Sequence, residues 1–380
     1  MDELLMTVSI VPINDLRRVP GDLQAELAEA AAATLGSGWF LNGQRLDAFC
    51  RAFADYLGVA DCVGVANGTD ALEIAMRAVI QVRAPSGSEV VTVANAGGYS
   101  SFACRLLGLV PVYADIDEAT QLASLDSILA CIGADTALVV ATHLYGSPLD
   151  IVRLRTMMDA AGHAHVTILE DCAQAHGATV NGRRVGSLGD IATFSFYPTK
   201  NLGASGDAGA IVSNDPALLD RVRSLSQYGW GKKYEIVTPL GRNSRLDEVQ
   251  AALLSVLLPR LDAGNARRRA IVQRYIAAAP PGVTIVDGGD GSVGHLAVAL
   301  CDDRDGMKAH LAARGIATEV HYPILDVDQP AWQALPQRTA PGGLPVSRRS
   351  VSRLLTLPCF PQLDDDEVDR VCAALAEWQA

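Results

Sequence analysis

The stretch Ser195–Asp215, SFYPTKNLGASGDAGAIVSND, places a single lysine between an apolar lead-in and a run of small residues. Lys200 follows IATFSFY (191–197), which has strand composition, and precedes the three glycines of NLGASGDAGA (201–210). Glycines permit tight turns and the close approach of a ligand to the backbone. Most lysines are solvated surface charges, but one held away from water has a lowered pKa and can form a Schiff base with a carbonyl. The stretch therefore predicts a reactive lysine.

On both sides of this lysine, strand-like segments alternate with helix-like segments. The segment ALEIAMRAVI (71–80) repeats apolar residues at helical spacing, at Leu72, Ala75, Met76 and Val79. Such alternation predicts a largely parallel sheet covered by helices on both faces. The strand-like segments are CVGVA (62–66), EVVTVA (89–94), VPVYADI (110–116), ALVVATHLYG (137–146), VTILED (166–171), IATFSFY (191–197) and AGAIVSND (208–215).

A smaller α+β unit is predicted towards the C-terminus. A helical stretch over 245–275 leads into AAAPPGVTIVDGGDGSVG (277–294), which is rich in proline and glycine. Beyond it, HLAVAL (295–300) and ATEVHYP (317–323) have strand composition, while 306–315 and 364–378 have helical patterns. We therefore expect an α/β protein with a large domain over 1–255 and a small domain over 256–380.

Composition and charge exclude several classes of function. Net charge is -12, with 31 basic and 43 acidic residues, which argues against a nucleic-acid surface. No apolar run approaches the roughly 18 residues of a membrane span, and the acidic start MDELLMTVSIVPIND is unlike a secretory signal. Eight cysteines without a CxxC pair predict small buried hydrophobes rather than disulfides or a metal site. Together these features predict a cytoplasmic protein.

Polar residues that follow the strands can supply what a lysine-bound cofactor needs, because strand ends in such sheets meet in one crevice. Pyridoxal phosphate is the commonest carbonyl partner of a Schiff-base lysine. It needs an acid at its pyridine nitrogen, and Asp171 ends the segment VTILED. It also needs an anion site, and Gly68 and Thr69 lie at a strand-to-helix junction, with Ser195 five residues before Lys200. The purely structural alternatives for these residues are a helix cap and an ordinary turn.

Three motifs resemble those of the nucleotide-sugar aminotransferases of the DegT/StrS type. They are EDCAQAHGA (170–178), FSFYPTKNLGASGDAGAIV (194–212) and GRNSRLDEVQAALL (241–254). The resemblance runs from 37–59 to 357–368 and so covers nearly the whole chain. It implies the fold of the PLP-dependent transferases of the aspartate-aminotransferase type, and a homodimer whose active sites lie at the subunit interface.

The resemblance also implies a role for each matching residue. Lys200 would be the Schiff-base lysine and proton shuttle, Asp171 the partner of the pyridine nitrogen, and Gln174 a neighbour of the cofactor hydroxyl. Some relatives have histidine in place of Lys200 and act as dehydratases, so the lysine favours transamination. For Asn243, which matches a phosphate-site position, the purely structural alternative is a turn before a helix. The positions that match the phosphate site are Gly68, Thr69, Ser195 and, from the neighbouring subunit, Asn243.

Three further stretches resemble the family members that aminate a 3-keto sugar: ANAGGYSS (94–101), QYGWGKKYE (227–235) and EVHYP (319–323). Gly97-Gly98 would let substrate or cofactor approach the backbone, or would mark a tight turn, and Tyr99 would lie against the cofactor. Relatives often carry a histidine shortly after HYP, where this chain has ILDVDQP (324–330). The expected substrate-binding residues are Tyr197, Lys232, Lys233, His321 and Tyr322.

The predicted reaction is amino transfer from L-glutamate to a dTDP-linked 3-keto-6-deoxyhexose. Two alternatives stay open: amination at C-4 or of another nucleotide sugar, and a non-catalytic regulatory protein on the same fold, because a fold does not fix a function. Lys200, Asp171 and Gln174 argue against the second alternative.

Overall fold

A computed structural model describes residues 10–379. The α-helices are α1 Gly21–Ser37, α2 Gln44–Leu57, α3 Gly68–Arg83, α4 Tyr99–Leu106, α5 Leu125–Cys131, α6 Ile151–Ala160, α7 Pro216–Ser226, α8 Glu248–Leu257, α9 Leu261–Ala278, α10 Arg304–Ala313, α11 Pro345–Arg353 and α12 Asp365–Ala376. The strands are β1 Asp61–Val65, β2 Glu89–Val93, β3 Val110–Ala114, β4 Thr136–Thr142, β5 Thr167–Asp171, β6 Thr179–Val180, β7 Arg183–Arg184, β8 Ile191–Ser195, β9 Gly209–Ser213, β10 Trp230–Lys232, β11 Glu235–Ile236, β12 Val283–Ile285, β13 Ala297–Cys301, β14 Arg338–Thr339 and β15 Leu354–Leu357.

The large sheet has the strand order β1-β9-β8-β5-β4-β2-β3-β14 within residues 10–379. Its strands pair in parallel except for β9, which is antiparallel to both β1 and β8. The predicted, largely parallel sheet is therefore confirmed. Its central strands β4 and β5 are buried along their whole length, because helices cover both faces.

Two apolar layers cover the faces of this sheet. On one face, α3 packs Leu72, Ala75, Met76 and Val79 into the core, which confirms the helical spacing read from the sequence. On the other face, α2 contributes Phe49 and Phe53, whose rings pack against Phe194 and Phe196 at the end of β8. The strand that leads to Lys200 is thus held between two well-packed layers.

The C-terminal region forms an antiparallel sheet, β12-β13-β15, packed against helices α9, α10 and α12. The predicted helical stretch over 245–275 is two helices, α8 and α9, separated by a 3-10 turn at Leu258–Arg260. The turn contains Pro259, which has no N–H for an α-helical hydrogen bond. The strand predicted over 317–323 is wrong, because that segment is extended and makes one isolated bridge, from Glu319 to Thr356.

The chain crosses between the two regions more than once. Val11 bridges to Ile316 and is buried in the core of the C-terminal region, while β14 pairs with β3 at the edge of the large sheet. The boundary between residues 255 and 256 falls inside α8 and stays a prediction.

Seven of the eight cysteines are buried, Cys372 is half-buried, and all eight thiols are free. Within residues 10–379, none of the helices combines the length and the apolar character that crossing a membrane requires.

Candidate active site

A cavity of about 560 Å³ lies between the carboxyl ends of the large-sheet strands and the C-terminal region. Strands β4, β5 and β8 end at its floor with Thr142, Asp171 and Ser195. Its opposite wall comes from segments around 295, 319–322 and 356–359. The predicted site residues that line it are Gly68, Thr69, Tyr99, Asp171, Gln174, Ser195, Tyr197, Lys200, His321 and Tyr322.

Lys200 is held in a tight turn directly after β8. Its backbone N–H donates to the carbonyl of Tyr197 at 2.8 Å, and a side chain at Gly203 would meet the carbonyl oxygen of Pro198 at 2.4 Å. The surrounding protein removes water from the amine and lowers the pKa of Lys200 to about 8, although the carboxylate of Asp171 acts in the opposite direction. Because this pKa lies close to physiological pH, the ammonium form and the neutral amine are both populated there.

Asp171 is the last residue of β5 and is buried. Its carboxylate accepts a hydrogen bond from the backbone N–H of Ala173 at 3.1 Å and a long one from the hydroxyl of Ser100 at 3.5 Å. Burial raises its pKa, and the nearby charge of Lys200 only partly offsets this effect. A buried carboxylate with such weak partners favours a protonated ring nitrogen as its ligand.

The N-terminus of α3 supplies an anion site next to Ser195. The side chain of Asn67 caps the helix by accepting from the N–H of Asp70 at 2.8 Å, so Asn67 and not Thr69 is the N-cap. The first N–H groups of a helix have no intrahelical partner and attract anions. A Cβ on Gly68 would come within 2.5 Å of the Cβ of Ser195. Glycine is required there because the helix end and β8 converge.

Gln174 connects the sheet to the predicted substrate-facing pair. Its Oε1 accepts from the N–H of Tyr145 at 2.7 Å, and its Nε2 donates to the hydroxyl of Tyr322 at 3.0 Å. The hydroxyl of Tyr145 in turn donates to the carbonyl of His321 at 2.7 Å. These bonds fix Tyr322 over the cavity, and burial raises the pKa of its hydroxyl.

The glycine pair Gly97-Gly98 has left-handed backbone, with φ of 78° and 86°. A Cβ on Gly97 would meet the ring of Tyr322 at 2.9 Å, and one on Gly98 would meet the ring of Trp332 at 3.0 Å. Aromatic side chains of this chain thus pack against both glycines, and the approach of substrate or cofactor to them stays a prediction. Tyr99, the next residue, is half exposed and lies edge to face with Tyr322.

Several cavity residues were missed by the sequence reasoning. His321 was expected, but its partners were not: its Nδ1 lies 2.9 Å from the hydroxyl of Thr356, and its Nε2 lies 3.4 Å from Glu319. Burial lowers the pKa of His321. His295 also lines the cavity, and a lone histidine before a strand gives no sequence signal for such a place.

One buried cluster near the site has ligand types that suit a metal. The candidate ligand atoms of His143, Glu170 and Cys172 lie within 4.8 Å of one another. Glu170, however, already accepts from His143 Nε2 and from the backbone N–H groups of Gly186, Leu188 and Gly189. Burial by itself would raise the pKa of Glu170, but these hydrogen bonds outweigh burial and hold the pKa below its usual value. The cluster is therefore a satisfied hydrogen-bond network.

Lys232, Lys233 and Asn243 do not line the cavity that holds Lys200. The two lysines are exposed on the β10–β11 hairpin and line a separate cavity of about 820 Å³ with Trp39. Asn243 is exposed, and its backbone bridges to Gln227, which lines the same cavity as the two lysines. Their predicted roles therefore stay predictions.

The residues of the cavity fit pyridoxal phosphate. A lysine with a lowered pKa, a buried aspartate with a raised pKa and a helix N-terminus meet at the carboxyl end of a mainly parallel sheet. This combination defines the class of PLP-dependent transferases with an α/β fold. The chain belongs to the DegT/DnrJ/EryC1/StrS aminotransferase family, whose model matches residues 21–376.

Individual relatives agree with this family. The chain is 39% identical, over 97% of its length and 96% of the relative, to a dTDP-3-amino-3,4,6-trideoxy-alpha-D-glucose transaminase of Streptomyces venezuelae. Among solved structures, DesV of S. venezuelae superposes with a TM-score of 0.91 and 37% identity over 97% of this chain and 98% of that one. NtdA of Bacillus subtilis, solved with bound cofactor PMP, superposes with a TM-score of 0.87 and 27% identity over 98% of this chain and 86% of that one.

Proposed function

We propose that this protein transfers the amino group of L-glutamate to C-3 of a dTDP-linked 3-keto-6-deoxyhexose, with pyridoxal phosphate as its cofactor. The observation that carries the proposal is the meeting of Lys200, Asp171 and the α3 N-terminus in one cavity. The amine replaces the ketone oxygen of the sugar, and glutamate is left as its 2-oxo acid. The exchange therefore needs no external oxidant or reductant. The similarity to a transaminase named for a 3-amino dTDP sugar supports this substrate class.

The residues that would hold the cofactor are those of the cavity floor. Bound pyridoxal phosphate supplies an electron sink that makes the α-proton of an amino acid acidic. Asp171 would hold the proton on the ring nitrogen, and Gln174 would lie beside the ring hydroxyl. The phosphate would be bound by Gly68, Thr69 and Ser195, where the helix dipole and free N–H groups favour an anion.

Lys200 would move the protons. Its pKa of about 8 lies close to working pH, so the neutral amine can accept a proton and its conjugate acid can return one. Backbone hydrogen bonds from Lys200 to Tyr197 and from Ala204 to Phe196 hold the turn after β8, so the lysine side chain starts from a defined backbone position. Tyr322, held by the hydrogen bond from the side-chain amide of Gln174, would close the cavity over Lys200 and exclude water.

A second subunit would complete the site. Among the described residues that line the cavity there is no arginine, and Lys200 is the one lysine, so the substrate diphosphate and the glutamate carboxylates lack fixed cationic partners. Lys232 and Lys233 offer cationic groups, and Asn243 an amide, and all three lie outside the cavity of their own chain. We therefore propose a homodimer in which these residues reach the cavity of the neighbouring subunit.

The surface around these residues is suited to a second copy of the chain. Trp39, Phe40 and Leu41 expose 62%, 47% and 44% of their surface, and Ile236 and Val237 expose 67% and 60%. Trp39, Leu41 and Val237 line the same cavity as Lys232 and Lys233, so the apolar residues are continuous with the predicted substrate-binding lysines. Contiguous exposed apolar side chains of this kind mark an interface.

The absorbance spectrum of purified protein tests the cofactor assignment. We expect pyridoxal phosphate to give a visible band that is bleached by L-glutamate and is absent in Lys200→Ala. Lys308→Ala is the matched control, because Lys308 is exposed on α10, and it should behave as wild type. A protein that takes up no pyridoxal phosphate would contradict the proposal and favour a regulatory role.

The sugar specificity needs a second measurement. Cofactor-loaded protein is supplied with glutamate and a panel of dTDP- and UDP-linked 3-keto and 4-keto sugars, and the 2-oxo acid formed is quantified. Turnover of both C-4 epimers of the dTDP-3-keto sugar is compared first. Faster turnover of a 4-keto sugar would overturn the C-3 assignment but would leave the reaction type intact.

A further inference from the structure

His295, which precedes strand β13, is connected to the residue that follows Lys200. Its Nδ1 lies 2.8 Å from Oδ1 of Asn201. The ring is almost fully buried, with 6% of its surface exposed, and it lines the same cavity as Lys200. Neither the family motifs nor the predicted cofactor contacts give this histidine a role.

The hydrogen bonds around Asn201 determine which way its amide faces. Its Nδ2 donates to Oδ1 of Asn265 at 2.8 Å and to the carbonyl of Val293 at 3.1 Å, which uses both of its protons. Asn265 is oriented in turn, because its own Nδ2 donates to the carbonyl of His176 at 2.8 Å. Oδ1 of Asn201 must therefore accept a hydrogen bond from the Nδ1–H group of His295.

This arrangement fixes the tautomer of the histidine. Burial and, next, the positive charge of Lys200 hold the pKa of His295 well below its usual value, so the ring is neutral. With the proton on Nδ1, the Nε2 atom is an acceptor. Within residues 10–379, Nε2 has no hydrogen-bond partner in the protein.

The backbone of His295, which carries the ring, is also held in place. Its carbonyl accepts from Arg268 at 3.3 Å, and a Cβ on Gly146 would meet its backbone nitrogen at 2.7 Å. The other titratable groups whose charge is coupled to Lys200 are Asp171, His176 and His321. Of these three groups, only Asp171 is acidic.

We propose that His295 is a positioning residue that accepts a hydrogen bond through Nε2 from the free Lys200 amine and holds it ready for proton transfer. The proposal rests on the function proposed above. It concerns the interval in which the lysine is not bonded to the cofactor. In that interval the long side chain would otherwise sample several rotamers, and an oriented acceptor reduces that freedom.

Two amide variants, each of which replaces one of the two ring nitrogens of His295, separate this role from a purely structural one. His295→Asn keeps a donor at the place of Nδ1, and so keeps the bond to Asn201, but removes the acceptor at Nε2. His295→Gln does the reverse. We expect His295→Asn to lower kcat roughly 10- to 100-fold with little change in KM, as a misoriented proton-transfer group does. His295→Gln should recover most of that loss.

The pKa of Lys200 in cofactor-free protein provides a measurement that does not depend on turnover. It is taken from the pH dependence of reductive methylation at Lys200, measured by peptide mass spectrometry. An acceptor stabilises the ammonium form, so its removal in His295→Asn should lower this pKa, whereas His295→Gln should keep it near the wild-type value.

The opposite order would overturn the proposal. If His295→Gln is the more damaged variant and the pKa of Lys200 is the same in both, the histidine only supports Asn201. Thermal melting of each variant shows whether a loss of activity is due to unfolding. If the protein proves not to be a transaminase, the methylation measurement still decides whether His295 contacts Lys200.

Discussion

Lys200 and Asp171 influence each other's charge across the cavity. Desolvation favours the neutral form of both, lowering the pKa of Lys200 and raising that of Asp171, while their mutual attraction opposes both shifts. A bound cofactor with a cationic ring nitrogen would change this balance, because it gives Asp171 a partner of opposite charge. The bound cofactor would therefore stabilise the ionised form of Asp171.

The balance predicts the titration of Lys200 in cofactor-free protein. The amine should titrate at about pH 8 in wild type, compared with 10.5 for an ordinary lysine. Asp171→Asn removes the one charge that raises this pKa, so the midpoint should fall further. The pH dependence of methylation at Lys200 measures both values. A midpoint near that of exposed Lys308 would show that the amine is solvated.

At the scale of elements, the junction of β1, α3 and β8 determines how a phosphate can bind. Gly68→Ala would push a methyl group against Ser195, at an unrelaxed distance of 2.5 Å. Overpacking of this kind costs about 1–3 kcal/mol. If that cost falls on the bound state, affinity for pyridoxal phosphate drops roughly 10- to 100-fold.

Fluorescence titration of cofactor-free protein with pyridoxal phosphate measures the affinity of Gly68→Ala. Gly36→Ala is the control, because a Cβ there meets nothing within 4 Å. Equal affinity in the two variants would show that the α3 N-terminus is not the phosphate site.

A second contact between elements is sensitive to pH. Asp326 lies in the segment ILDVDQP, is buried, and accepts from the hydroxyl of Ser101 on α4 at 2.7 Å. Burial raises its pKa from 3.8 to about 7, although the bond from Ser101 opposes the shift. Between these two pH values the folded protein binds a proton that the unfolded chain has lost. This group therefore makes stability fall as pH rises from about 4 to about 7.

Asp326→Asn should remove that dependence, because an amide keeps the acceptor for Ser101 without a charge. At pH 8 the variant should melt several degrees higher than wild type, and at pH 4 the two should nearly coincide. Asp135→Asn, at an exposed side chain, controls for the general effect of removing a charge. A variant that melts lower than wild type at pH 8 would mean that the ionised carboxylate is stabilising.

At the scale of the whole molecule, sharing of sites between subunits can be tested by mixing inactive variants. Lys200→Ala lacks the reactive amine, and Asn243→Ala lacks the residue predicted to cross the interface. Unfolded together and refolded, the two chains form mixed dimers in which one site has both residues intact. About a quarter of wild-type activity should then return.

Each variant refolded alone is the control for this experiment. If the mixture is no more active than the sum of the two controls, Asn243 acts within its own subunit or not at all. Size-exclusion chromatography of the same samples shows whether the dimer has formed.

The order of strands and helices along the large domain and the position of the predicted Schiff-base lysine could both be read from the sequence alone. Periodicity and glycine content are local properties, so they identify α3 and the Lys200 turn without tertiary information. Asp171 and Gly68 could be predicted as well, since strand ends in such a sheet meet in one crevice.

Which residues from distant segments line the cavity around Lys200 depends on how the whole chain packs. His295 and Glu319 carry no local signal, because their role depends on how the C-terminal region packs over the strand ends. The glycine pair Gly97-Gly98 was noticed in the sequence, but the aromatic rings that fill its surface come from residues more than 200 positions away. Contacts of this kind depend on long-range packing, which no spacing rule within one segment records.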